Sequence, residues 1–140
     1  MKKIEHIGIA VKSLEKSNLM YEKLLGVQPY KMEQVLSEGV NTSFFKMGES
    51  KIELLEATAN TSAIAKFLET KGPGIHHIAY AVDDIKQELY RLRSEGFKLI
   101  HEEPVKGADN KWVAFLHPKS TDGVLIELCQ ERLPENDKAE

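Results

Sequence analysis

The sequence predicts an α+β fold built from one strand-helix-three-strand unit written twice. Three observations carry that reading. The hexapeptide His6-Ile7-Gly8-Ile9-Ala10-Val11 returns as His77-Ile78-Ala79-Tyr80-Ala81-Val82. Each copy is followed by apolar residues at helical spacing and then by three stretches of strand character. Each unit then closes on a glutamate set between aliphatic residues, Glu53 in Ile52-Glu53-Leu54-Leu55 and Glu127 in Ile126-Glu127-Leu128. Repetition at this scale outranks any single motif.

The hexapeptide alternates small and bulky residues, the period of a strand with two unlike faces. The histidine shares its face with the small residues Gly8 and Ala10, or Ala79 and Ala81, which predicts open room for a ligand beside each imidazole. Ser13 then caps a helix with Glu15 at its positive end and Leu14, Tyr21, Leu24 and Leu25 as its stripe, and Gly26 stops it. Strands are expected near 28–34, 42–47 and 51–56, with turns at Gly39 and 48–50. A short helix over 61–70, capped by Thr61 or Ser62, connects the halves, and Lys71-Gly72-Pro73-Gly74 marks the boundary. In the second half Asp83 or Asp84 caps a helix carrying Ile85, Leu89 and Leu92, which Gly96 closes. Strands are expected at 97–101, 111–116 and 124–130, with turns at 106–110 and 120–123. The charged stretch 131–140 reads as a frayed tail. The domain organisation expected is one domain over 1–140: module 1 about 4–58, a connecting helix and turn over 59–74, module 2 about 75–130, and the tail.

At 140 residues the chain is long enough to bury a core in each module. A net charge of -3 gives no general attraction to nucleic acid or an anionic membrane surface. The first residues lack the apolar run of a secretory signal, and no segment approaches a membrane span. A single cysteine, Cys129, excludes an internal disulfide and suits a reducing compartment. A cytoplasmic protein is expected.

Glu53 lies 47 positions after His6 and Glu127 lies 50 after His77, so the repeat places both pairs equivalently. If Ile52 and Leu54 pack beneath a helix, Glu53 must face the other way, toward the side of His6. Glu127 follows the same rule with His77. A single strand histidine is ordinarily a packed structural residue, and a single strand glutamate ordinarily faces solvent. Four such residues matched across a repeat point instead to a metal site of His6, Glu53, His77 and Glu127. Imidazole and carboxylate donors suit a divalent transition ion: cobalt first, with manganese, nickel, zinc or iron as alternatives. His76 falls on the opposite parity and is expected to stay off the metal. His101 and His117 have no repeat partners and read as surface or turn residues. Cys129 shares the parity of Glu127, yet reads as a small buried hydrophobe. Lys119 reads as a turn lysine or an anion contact, and Trp112, Phe44 and Phe45 as core or pocket wall.

With these residues in place, the chain resembles the vicinal oxygen chelate superfamily, and within it the methylmalonyl-CoA epimerases. The second likeness rests on His6 to Val11, on Ile52-Glu53-Leu54-Leu55-Glu56 leading to Ala63-Ile64-Ala65-Lys66-Phe67-Leu68, and on Gly74-Ile75-His76-His77-Ile78-Ala79. His117-Pro118-Lys119 with Gly123-Val124-Leu125-Ile126-Glu127-Leu128 extends it. The resemblance covers roughly residues 4–130. It implies two modules pairing into one cupped eight-stranded mixed sheet around the metal, with helices on the outer face. It further implies a homodimer acting on an acyl-CoA. The implied reaction interconverts (2R)- and (2S)-methylmalonyl-CoA through a metal-stabilised enolate, with Glu127 as the first acid-base candidate and Glu53, a bound water or another group as the second. Some relatives are thought to use a third-strand glutamate, where this chain has Asn41-Thr42-Ser43. The rival readings are a glyoxalase I-type lactoylglutathione lyase, a metal-dependent dioxygenase, and a metal-free binding or resistance module on the same scaffold.

Overall fold

The computed structural model describes residues 1–133. Its strands are β1 (Lys3–Ala10), β2 (Lys31–Val35), β3 (Val40–Met47), β4 (Ser50–Ala57), β5 (Gly74–Ala81), β6 (Val105–Gly107), β7 (Lys111–Leu116) and β8 (Ile126–Glu131). The helices are α1 (Leu14–Leu25), α2 (Ala63–Lys71) and α3 (Ile85–Ser94), with 3-10 turns at Leu36–Glu38 and Pro118–Ser120. The order is therefore βαβββ, a connecting helix, then βαβββ. The strands belong to one eight-stranded mixed sheet in the order β2-β3-β4-β1-β5-β8-β7-β6. The chain resolves into two compact units, His6–His77 and Met1–Glu5 with Ile78 onward, so β1 and β5 each contribute to both.

In the His6–His77 unit, β4 lies parallel to β1 and antiparallel to β3, which pairs with β2. Register sets the faces: Ile9 is beside Leu54, and Ile52 is beside Phe45. Those four residues pack with Val11 under Leu14, Tyr21 and Leu25 of α1. Ser13 accepts the Lys16 amide at the start of this helix, and Gly26 ends it in the left-handed conformation at φ 73°. That backbone carries no penalty only for a residue without a Cβ. Helix α2, capped by Ser62 accepting from Ala65, sits on the opposite face. Its Ile64, Phe67 and Leu68 pack with Ala10, Val40 and Leu55. The connecting helix thus departs from the outer placement expected of all helices, because Ala10 and Leu55 continue the parity of Gly8 and Glu53 and offer it an apolar landing there.

The other unit repeats the pairing, with β5 parallel to β8 and β8-β7-β6 antiparallel. Helix α3, capped by Asp84, lays Ile85, Leu89 and Leu92 over Ala114, Leu116, Ile126 and Leu128. Both modules anchor the start of their helix in the same way. The Leu14 amide donates to Glu56 Oε2 at 3.1 Å, and the Ile85 amide donates to Gln130 Oε1 at 2.8 Å. Each acceptor lies three residues after the module's glutamate, and each occupies one of the orphan donors of a helix N-terminus.

One expected strand is absent. Over 97–101 the contact with β7 is an isolated bridge of Leu99 to Leu116, flanked by the Ile100 amide donating to the Phe115 carbonyl and the His117 amide donating to the Lys98 carbonyl. Phe97 and Leu99 instead pack into the α3 core. The named strand on that edge is β6, whose Lys106 and Gly107 fall in the turn expected over 106–110. The expected tail begins later than 131, since Glu131 ends β8; residues 134–140 lie outside the described part.

Candidate metal site on the first unit

His6 and Glu53 meet because β1 and β4 run side by side with Gly8 opposite Glu53. A glutamate in register with Gly8 faces the same side as His6, two residues earlier on β1. His6 Nε2 lies 3.3 Å from Glu53 Oε2. His77, from β5, brings its Nε2 to 3.0 Å from His6 Nε2, with the two rings edge to face at 84°. Relative exposure is 4% for His6, 7% for Glu53 and 5% for His77. His6 therefore meets both Glu53 and His77, each of them an expected donor, in a place nearly closed to water.

Their spacing suits a metal. Adjacent donors about one ion, with bonds of about 2.1 Å, lie about 3 Å apart, close to the 3.0 and 3.3 Å observed. The donor set, imidazole nitrogen with carboxylate oxygen, is that of a divalent transition ion. The fourth expected donor, Glu127, is buried on β8 of the other unit, in register with Ala79 of β5 and Phe115 of β7. It shares the face of Ala79, as strand parity requires.

Gly8 has a different role from the one expected. A Cβ built on it would lie 2.2 Å from His77 Cε1 and 2.5 Å from Nε2. The space beside His6 is filled by the second imidazole rather than left open. Ala10 is likewise occupied, packed with Leu55 and Ile64 against α2, and Ala79 is buried with Val113 and Cys129. Of the four small residues, Ala81 lines open space, a cavity of about 330 Å³ in the second unit that Lys2, Lys111, Cys129 and Gln130 also border. The expectation of open room beside each imidazole is therefore corrected at Gly8, Ala10 and Ala79, where close packing fills it.

His76 also differs. Its Nδ1 is 2.9 Å from His77 Nδ1, and its ring stands edge to face with His77 and with Phe67 of α2. Strict alternation would have sent it away from His77. His101 and His117 occupy turn positions, their Nδ1 atoms accepting the amides of Phe115 and Lys119. Lys119 is exposed on the 3-10 turn. Trp112 packs at the α3 core, and Phe45 under α1. Phe44 pairs across the ladder with Glu53 and walls that side. On β3, Thr42 Oγ1 donates to the Glu33 carbonyl, and Ser43 stands opposite Leu54 on the α1 side. Neither residue brings a carboxylate to the face of Glu53. A residue that sequence reasoning missed is Lys111, buried beside the second-unit cavity with its Nζ 3.5 Å from Glu131 Oε1. Strand alternation alone offered no sign of it.

No helix among the described residues is long and apolar enough to cross a membrane. Residues 5–115 match the model of the glyoxalase/bleomycin resistance protein/dioxygenase superfamily. The chain is 40% identical over 131 residues to the ethylmalonyl-CoA/methylmalonyl-CoA epimerase of Cereibacter sphaeroides, covering 91% of this chain and 97% of the relative. It is 39% identical over 129 residues to the human mitochondrial methylmalonyl-CoA epimerase, covering 91% of this chain and 73% of that one. A solved methylmalonyl-CoA epimerase in complex with methylmalonyl-CoA and NH4+ superposes with a TM-score of 0.90 at 33% identity, covering 94% of this chain and 95% of the other.

Proposed function

The chain belongs to the glyoxalase/bleomycin resistance protein/dioxygenase superfamily, and from that membership we propose that it is a methylmalonyl-CoA epimerase that requires a divalent metal. The epimerase assignment is supported by relatives and a solved structure of that name. The observation that carries the metal requirement is the approach of buried His6 to two further buried donors, with its Nε2 3.0 Å from His77 Nε2 and 3.3 Å from Glu53 Oε2.

In this reading the two modules act as a single domain and Glu127 completes the ligand set. Its register with Ala79 supports this, because parity along β5 carries that face to His77. Cobalt is the first ion to test. When bound, the ion would supply Lewis-acid stabilisation of the charge that develops on the thioester and carboxylate oxygens as C2 loses its proton. The chain's own residues do the rest. Epimerisation removes a proton from one face of C2 and returns one to the other, which calls for two acid-base groups. Glu127 and Glu53 take these roles, since Thr42 and Phe44, the β3 residues in register with Leu55 and Glu53, carry no carboxylate. Phe44 lies in register beside Glu53 on the same face. The same reading includes a homodimer in the cytoplasm.

The test is incorporation of solvent deuterium at C2 of methylmalonyl-CoA, with and without chelation followed by Co2+ restoration. Exchange should disappear on chelation, return with metal and be lost in Glu127→Gln. Exchange that persists undiminished in the stripped protein would refute the metal requirement, and no exchange with any divalent ion would refute the epimerase.

A further inference from the structure

We propose that His76 is a positioning residue that holds the imidazole of His77 in the tautomer and orientation needed to present Nε2 to the metal; the inference rests on the metal-dependent reading above. It begins from an unusual contact between sequence neighbours. On a regular strand, residues 76 and 77 would point to opposite faces. Here their Nδ1 atoms are 2.9 Å apart and their rings cross at 89°.

The hydrogen-bond arithmetic assigns the protons. A neutral imidazole has one donor and one acceptor nitrogen. With Glu53 a carboxylate that only accepts, a proton on His6 Nε2 faces both Glu53 Oε2 at 3.3 Å and His77 Nε2 at 3.0 Å. His77 Nε2 is then an acceptor, and its own proton sits on Nδ1. That proton is donated to His76 Nδ1. For His77, the nitrogen that must carry a lone pair to bind a metal is thus the one this network leaves unprotonated, while the Nε2 proton of His6 is the one a bound metal would displace.

His76 is itself held. Its ring stands edge to face on Phe67 at 5.0 Å and 87°, and Phe67 packs into the cluster of α2 with Ala10 and Leu55. On its other side the His77 ring lies where a Cβ on Gly8 would be. Helix α2, Phe67, His76 and His77 therefore form one continuous support, ending at the atom that faces His6. Outer-shell partners of this type fix ligand geometry, and their loss typically weakens metal binding by about 10- to 100-fold.

The experiment uses the full chain. Long-range 1H-15N spectra of the metal-free wild type should show His77 protonated at Nδ1; protonation at Nε2 instead would overturn the proposal without any variant. His76→Phe keeps the ring against Phe67 and removes the nitrogen. It should lose the fixed His77 tautomer and weaken Co2+ affinity, measured by chelator competition, about 10- to 100-fold. His76→Asn, which offers a polar atom near the position of Nδ1, should recover most of that loss. An unchanged tautomer and affinity in His76→Phe would overturn the proposal. A wild type that binds no Co2+ but shows the Nδ1 tautomer, lost in His76→Phe, would sink the metal reading and leave the positioning role standing.

Discussion

Replacing Gly8 by alanine adds one carbon where the structure has an imidazole. The new Cβ would sit 2.2 Å from His77 Cε1, 2.5 Å from Nε2 and 2.6 Å from Nδ1, whereas ordinary contact begins at 3.4 Å. The ring or the strand must therefore give by about 1.2 Å, the shortfall at Cε1. Metal ligands tolerate departures of about 0.2 Å, so His77 would leave the site's geometry, and its 3.0 Å approach to His6 and 2.9 Å approach to His76 would both be lost. Gly8→Ala should weaken Co2+ binding by at least about 100-fold, more than loss of one outer-shell partner. It should also cost about 1–3 kcal/mol of stability as overpacking. A double-mutant cycle isolates the cause: in a His77→Ala background the obstacle is gone, and Gly8→Ala should be nearly neutral by urea unfolding. Equal destabilisation in both backgrounds, or Co2+ affinity unchanged in Gly8→Ala, would refute the close-packing account.

Other predictions concern the frame. Glu56→Ala removes the acceptor of the Leu14 amide and should destabilise the protein by about 1 kcal/mol in chemical denaturation. Ser43 Oγ is buried with no hydrogen-bond partner, so Ser43→Ala should be neutral or stabilising, and a loss above about 1 kcal/mol would show a bond in solution. The Arg91 guanidinium, donating to Glu88 at 2.7 Å, holds the Glu88 carboxyl below the usual carboxylate range. A depressed carboxyl contributes stability above its unfolded value, near about 4.3, and loses it as the pH falls through the folded value. The pair is partly exposed and screened, so the difference between wild type and Glu88→Gln should be about 0.5 kcal/mol or less at neutral pH and vanish in acid.

The legible features were those with local causes. Ser13, Ser62 and Asp84 each announce a helix through a side-chain oxygen, and each caps the helix that follows. Lys111 to Leu116, with its run of Trp112, Val113, Ala114, Phe115 and Leu116, reads as a buried strand and is β7. At 97–101, alternation recorded burial more than pairing: Phe97 and Leu99 dip into the α3 core with one bridge to β7, while the longer ladder is made by Val105–Gly107, a stretch too short to show a pattern. The pairing of Glu53 with the face of His6 followed from parity alone. What Gly8 leaves room for did not, because the occupant arrives from residue 77. Nor could His76 be read, since alternation describes a regular strand and the contact with His77 departs from it.

The anchoring of each helix by a residue three places beyond a site glutamate has a consequence for folding fidelity. Three residues along a strand is an odd step, so Glu53 and Glu56 emerge on opposite faces, one toward His6 and one toward the start of α1. Gln130 stands in the same relation to Glu127 and α3. A slip of β4 by one residue would exchange the two faces. It would strand the Leu14 amide in the same event that withdrew Glu53 from His6. Misregistered chains are thus penalised at the helix end before any metal or substrate arrives, so selection against a misaligned strand acts through stability as well as through the chemistry.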